Sequence, residues 1–186
     1  MKRSGQGQVI DAAICDGVNS LMGLFHAQAL RCTCQEQRSA NVLDGGAPYY
    51  TVYETADAGH VSLGPIEPKF FALLCDKIGL PEALRDAQND RARWPALHQA
   101  MAGLFKTRSR ADWCALLEGS DVCFAPVRGL SEAENHPHHQ ARGAFIDVGG
   151  IRHPAPAPRF SRTPCAIQGA APTTAVLAQE LLQRWQ

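Results

Sequence analysis

The run NVLDGGAPYYTVYETADAGHVSLGPI, residues 41–66, constrains the fold more than any other part of the chain. Tyr49, Tyr50, Val52 and Tyr53 form one aromatic and β-branched segment, and Val61, Leu63 and Ile66 form a second. Such residues favour the pleated, half-buried surface of a strand. Residues 55–60, TADAGH, lie between the two segments and carry turn chemistry, so the run predicts an antiparallel hairpin. Asp44, Gly45 and Gly46 predict a tight, glycine-dependent bend ahead of the first strand. The bend is read as backbone geometry rather than a phosphate cradle, because no helix start follows it directly.

Helices follow the hairpin. Pro68 is a preferred first helical residue, Phe70, Phe71, Leu74 and Ile78 share one face, and Gly79 with Pro81 marks the stop. A second helix places Leu97, Met101, Leu104 and Phe105 on one face. Ser109 and Asp112 have the spacing of a capping box ahead of WCALLEG. DVCFAPV then reads as a buried strand, and Ser131 as the cap of a further short helix. AFIDVGGIRHPAPAPRF reads as a strand followed by a proline-rich connector. Residues 41–148 thus form a compact α+β block.

The ends are harder to place. Residues 8–13 alternate enough to suggest a strand, and Val18, Leu21, Met22, Phe25 and Leu30 recur at helical steps over residues 14–30. Residues 31–40 are polar and without period. Leu177, Leu181 and Trp185 mark a terminal helix over residues 174–185. One strand with one helix cannot close a sheet-based core. These pieces either dock on the central block or belong to a larger domain.

Bulk properties narrow the function. The 186 residues are 45% hydrophobic, which is globular rather than disordered. Eighteen basic residues balance eighteen acidic ones, against a general nucleic-acid binder or a polybasic membrane anchor. No apolar run approaches a membrane span, and no apolar signal core follows the basic N-terminus. A cytoplasmic location is expected. Seven cysteines, an odd number, argue against a disulfide framework, and those in FFALLCDKI and DVCFAPV read as small buried hydrophobes. Cys32 and Cys34 lack two further ligands for zinc. His136, His138 and His139 lie on a proline-broken turn where convergence on one ion is not expected, so no metal site is read.

GQGQVIDAAICDG, NVLDGGAPYYTVYETADAGHVSLGPIEPKFF and HPHHQARGAF with PAPAPRFSRTP together resemble the C-terminal half of the family III CoA-transferases, and within them the α-methylacyl-CoA racemase branch. The resemblance covers nearly the whole chain. It implies an α/β fold in which a large, doubly wound domain and a small α+β domain are joined by two connectors, in an interlocked dimer. Residues 1–40 would be the last strand and helix of the large domain plus a connector. Residues 41–148 would be the small domain, and residues 149–186 the returning connector and C-terminal helix. The family's catalytic His, its catalytic Asp and most of its CoA-binding surface lie in an N-terminal half that nothing here matches. No glycine-rich strand-to-helix turn opens the chain.

The resemblance implies epimerisation at the 2-position of branched acyl-CoA thioesters, with the CoA thioester as substrate and no separate cofactor. Removing the α-proton from one face and returning it to the other requires an acid/base group on each face. The branch uses an Asp on one face and a His paired with a Glu on the other, and Glu67 matches that Glu. By spacing alone Glu67 is an ordinary helix-start residue, since an acid before proline is common there, and only the resemblance makes it a catalytic candidate. Leu43, Tyr49, Tyr50 and Ile66 are candidates for the acyl-binding surface. Leu43, Tyr49 and Tyr50 read at least as well as core residues of the small domain. Asp11 and Asp16 match neither catalytic acid. Two other readings stand beside this one. One is a CoA-transferase of the same fold, working through an acyl-Asp intermediate, although such enzymes generally lack the Ile66-Glu67-Pro68 glutamate. The other is an inactive truncated or split-gene fragment. The expected partners are the acyl-CoA, a second copy of the chain or a missing N-terminal half, with no nucleic acid and no membrane.

Overall fold

The computed structural model describes residues 7–167, 169–170 and 178–183. The chain divides into two compact units, Met1–Val127 and Arg128–Gln186.

In the first unit, α1 (Ile14–Leu21) and α2 (Gly23–Leu30) replace the single predicted helix. The break falls at Met22, beside a glycine that weakens helix propagation. Neither helix buries a residue. Residues 8–13 form no strand, contrary to expectation. Val9 is 96% exposed, and no strand among the described residues lies beside this segment to complete a ladder.

The predicted hairpin is present and shorter than expected. β1 (Val52–Glu54) pairs antiparallel with β2 (His60–Leu63), with Tyr53 opposite Val61. Its turn is closed by the Thr55 N–H on the Gly59 carbonyl, 2.9 Å, and by Asp57, which accepts from the Thr55 hydroxyl at 2.5 Å. Tyr49 and Tyr50 precede the strand on irregular backbone, where the Tyr50 N–H reaches the Ala47 carbonyl at 2.9 Å.

β3 (Phe124–Val127) adds to the other side of β2, giving the order β1-β2-β3. It is an outer strand, only half-buried, which corrects the expectation of a buried one. Pro126 fits there because its missing N–H breaks no ladder on the open side. Cys123 is likewise exposed rather than a buried hydrophobe. It sits at φ 50° just before the strand, while Val122 takes the buried position.

Three helices cover the sheet. α3 (Pro68–Ile78) buries Phe71, Leu74, Cys75 and Ile78, and ends at Gly79 in the left-handed region. α4 (Trp94–Phe105) buries Trp94, Leu97, Met101 and Phe105. α5 (Arg110–Leu117) begins with the predicted Ser109–Asp112 capping box and buries Trp113 and Leu117. The Tyr53 ring stacks on Phe105 at 5.1 Å, and Phe105 meets Trp113 at 4.9 Å. The Tyr53 hydroxyl donates to the Pro48 carbonyl at 2.7 Å, and the Trp113 indole to the Phe105 carbonyl at 2.9 Å. Each buried aromatic or aliphatic side chain contributes roughly 1.5–3 kcal/mol, provided its polar atoms find partners.

The second unit holds α6 (Leu130–Glu134), α7 (Pro137–Ala141) and a hairpin of β4 (Phe145–Val148) with β5 (Ile151–Pro154). Gly129 caps α6, its N–H bonded to the Glu132 carboxylate at 2.8 Å, and Ser131 lies inside the first turn instead of capping it. β5 corrects the reading of this stretch as a strand and a connector. Gly149 and Gly150 both take positive φ and form the two-residue turn that closes a hairpin. α8 (Ala178–Gln183) lies within the expected terminal helix, whose Leu177 and Trp185 fall outside the described residues. No helix among the described residues is long and apolar enough to cross a membrane.

Candidate active-site segment around Glu67

Four residues, Gly64 to Glu67, join the central strand to α3. Their backbone is irregular and firmly held. The Gly64 N–H donates to the Cys123 carbonyl at 2.8 Å, and the Ile66 N–H turns back to the Gly64 carbonyl at 2.8 Å. Pro65 is fully buried. Gln88, 5% exposed, reaches in from the loop before α4 and donates to the Pro65 and Ile66 carbonyls at 3.1 and 2.9 Å. Pro68 disfavours helical backbone at the preceding residue, and Glu67 is extended at φ −72°, ψ 135°.

Glu67 is therefore the N-cap of α3. Its carbonyl accepts from the Phe70 and Phe71 N–H groups at 3.0 and 3.1 Å, but its carboxylate makes no capping hydrogen bond. A shorter Ser, Thr, Asp or Asn is the side chain that folds back onto these amides. Here the glutamate side chain is exposed at the N-terminal end of the helix.

Beside it lies a groove of about 410 Å³ on the sheet. Its walls include Tyr50, Val52, Leu63, Gly64, Cys123 and Phe124. A β-carbon at Gly64 would meet the Tyr50 ring at 3.7 Å, ordinary van der Waals contact. The Cys123 thiol is pushed above its ordinary pKa by partial burial and by the negative charges of Glu67 and Asp121. Desolvation and like charge both disfavour the thiolate. Glu67 thus lies within electrostatic reach of the groove.

The other predicted residues separate. Ile66, adjoining Glu67, is 44% exposed. Tyr50 is half-buried and lines the groove. Tyr49 is 2% exposed, edge-on to Phe71 at 5.8 Å and to Trp94 at 6.1 Å, and burial raises its pKa. Leu43 borders a different, smaller cavity with Phe25, Val42 and Arg91. Sequence reasoning missed Gln88 and took Cys123 for a buried hydrophobe, because both approach this segment only through long-range contacts. Asp44 collects amide hydrogens from Ala40, Asn41 and Gly46. Burial pushes its carboxyl up, but these bonds and that from the Asn41 side chain hold it below the ordinary range.

His136 and His139 rings lie 5.6 Å apart, with His139 bonded to the Ala133 carbonyl at 2.7 Å. Among the described residues no group of three His, Cys, Asp or Glu side chains is placed to hold a metal.

The sequence matches the profile described as CoA-transferase family III over residues 1–175. The α-methylacyl-CoA racemase of Mus musculus is 39% identical over 163 residues, 87% of this chain and 43% of the racemase. That of Homo sapiens is 36% identical over 167 residues, again 87% and 43%. The crystal structure of a CAIB/BAIF family protein from Brucella suis aligns at TM-score 0.71 with 20% identity, over 100% of this chain and 50% of that one, a likeness of fold. The chain spans less than half the length of the two racemases. It belongs to CoA-transferase family III.

Proposed function

We propose that this chain is the C-terminal part of an α-methylacyl-CoA racemase-like enzyme, epimerising the 2-position of branched acyl-CoA thioesters. The observation that carries the reading is the Glu67 carboxylate, presented at a helix start and left unused as a cap. The identity to two racemases supports the same assignment.

The thioester carbonyl acidifies the neighbouring carbon, so proton removal yields an enolate. An acid/base group on each face then allows the proton to leave one side and return on the other. Glu67 serves one of these groups indirectly. It holds the imidazole of a histidine from another segment in position and stabilises its charged form, as an acid does in a hydrolase triad. An ionised neighbour raises the histidine's pKa and makes it a better proton acceptor. Tyr50 and Ile66 border the acyl chain, whereas Tyr49 belongs to the core and Leu43 to a separate cavity.

The test is Glu67→Gln in the enzyme that unites this chain with the N-terminal segment. Gln keeps the shape without the charge. Incorporation of deuterium at C2 of a 2-methylacyl-CoA in heavy water is expected to slow by about 10²–10⁴-fold, the usual contribution of general acid–base catalysis. An undiminished rate would remove Glu67 from the mechanism.

A further inference from the structure

We propose that Gln88 is a positioning residue for Glu67, an assignment that rests on the reading of Glu67 just given. A glutamine that is 5% exposed needs partners for its amide, because an unpaired buried polar group is costly. Its two N–H bonds go to two successive carbonyls, those of Pro65 and Ile66, at 3.1 and 2.9 Å. Both partners are acceptors only, so the amide nitrogen, not its oxygen, must face them.

The second of these bonds matters for the site. The Ile66 carbonyl shares one planar peptide unit with the nitrogen and α-carbon of Glu67. Fixing that oxygen fixes the plane, and with it the point from which the Glu67 side chain departs. Without the fork, the Pro65 and Ile66 carbonyls have no strand ladder to hold them, since the ladder ends at Leu63. Gln88 is itself anchored. Its own carbonyl accepts the Trp94 indole N–H at 2.9 Å, and Trp94 is buried against Tyr49. A rigid path therefore runs from α4 through Gln88 to the backbone of Glu67. Placement errors of about 1 Å at a catalytic group can cost about 10²-fold in rate, so such a clamp has a kinetic role as well as a packing one.

The experiment is a double-mutant cycle in the united enzyme. Gln88→Met keeps the length and removes both donors. It is expected to lower kcat for C2 proton exchange by about tenfold to 10²-fold, with KM changed less than about twofold. In the Glu67→Gln background the same change is expected to add almost nothing, because residues acting as one unit are non-additive. Gln88→Asn, which retains the amide one methylene short, is expected to fall between wild type and Gln88→Met, and it replaces the latter in the cycle if that variant does not fold. A full, additive loss in both backgrounds, or no loss in either, overturns the proposal while leaving Glu67 in place. An undiminished rate for Glu67→Gln alone overturns the reading of Glu67 itself. In the isolated chain, NMR order parameters at Ile66 and Glu67 are expected to fall from about 0.85 toward 0.6 in Gln88→Met; unchanged values count against the clamp.

Discussion

Three carboxylates at bends in this chain have different fates, and side-chain length separates them. Asp44 and Asp57 are short enough to reach amides of their own loops. Asp57 takes the Thr55 hydroxyl, the Arg110 N–H at 3.1 Å and the Gly59 N–H at 3.4 Å. It thereby ties the β1–β2 turn to the start of α5. Glu67 is one methylene longer, and its carboxylate leaves the helix amides alone. A consumed acid shows itself in its titration. The bond from Thr55, then that from Arg110, holds the Asp57 carboxyl below its ordinary value. A depressed native pKa means that the unfolded chain binds its proton first as pH falls. The stabilisation is present above the unfolded value of about 3.9 and is lost as pH drops through the native one. Asp57→Asn is therefore expected to flatten the acid limb of stability below about pH 4. Urea unfolding of both proteins between pH 6 and pH 3 checks this, and identical acid limbs would show that these bonds do not lower the native pKa of Asp57.

At the scale of elements, backbone approach decides what each turn tolerates. A β-carbon on Gly46 would lie 2.6 Å from the Ser39 carbonyl oxygen and 2.8 Å from the Asn41 nitrogen. Both are main-chain atoms, so the whole 39–46 loop must shift. Gly46→Ala is expected to destabilise the first unit by about 1–3 kcal/mol, as overpacking does. Gly103, exposed in α4, meets nothing within 4 Å. Gly103→Ala is expected to stabilise by about 0.5–1 kcal/mol through reduced unfolded-state freedom. Thermal unfolding of the two variants gives shifts of opposite sign. The same locality explains what was readable from sequence. The hairpin, the Ser109 capping box, and the Pro68 and Gly79 helix ends each depend on a few consecutive residues. The Gly149-Gly150 turn was equally local, but the proline-rich stretch behind it disguised β5. The strand expected at residues 8–13 needed a neighbour, which alternation alone cannot supply. Tyr49 and Tyr50 could not be told apart by strand alternation, because the backbone there turns instead of extending. Glu67 was visible as a helix-start acid. The groove beside it was not, since Cys123 is more than fifty residues away in sequence.

For the molecule as a whole, the exposed apolar surface near the N-terminus is the most consequential feature. Ile14 is 86% exposed, Leu21 82% and Leu30 88%, on helices that bury nothing within their own unit. Soluble monomers seldom display large contiguous apolar patches, and such patches mark surfaces that associate. The chain also covers less than half the length of the racemases it resembles. Both facts fit the proposal that residues 1–40 belong to a large domain completed by another segment. Two outcomes are expected of the 186-residue chain by itself. It gives no deuterium exchange at C2 of a 2-methylacyl-CoA, because in the proposed mechanism Glu67 acts only through a histidine supplied by another segment. It also self-associates in sedimentation velocity as concentration rises. The pair Ile14→Lys and Leu21→Lys, two helical turns apart on α1, is expected to restore the monomer. Because both side chains are exposed, the thermal stability of the first unit should move by no more than about 0.5 kcal/mol. A wild-type chain that stays monomeric at the highest attainable concentration would mean that this surface does not drive self-association. Measurable exchange by the chain alone would mean that the histidine is not needed. That second result would separate Glu67 from the proposed role of orienting a histidine supplied by another segment.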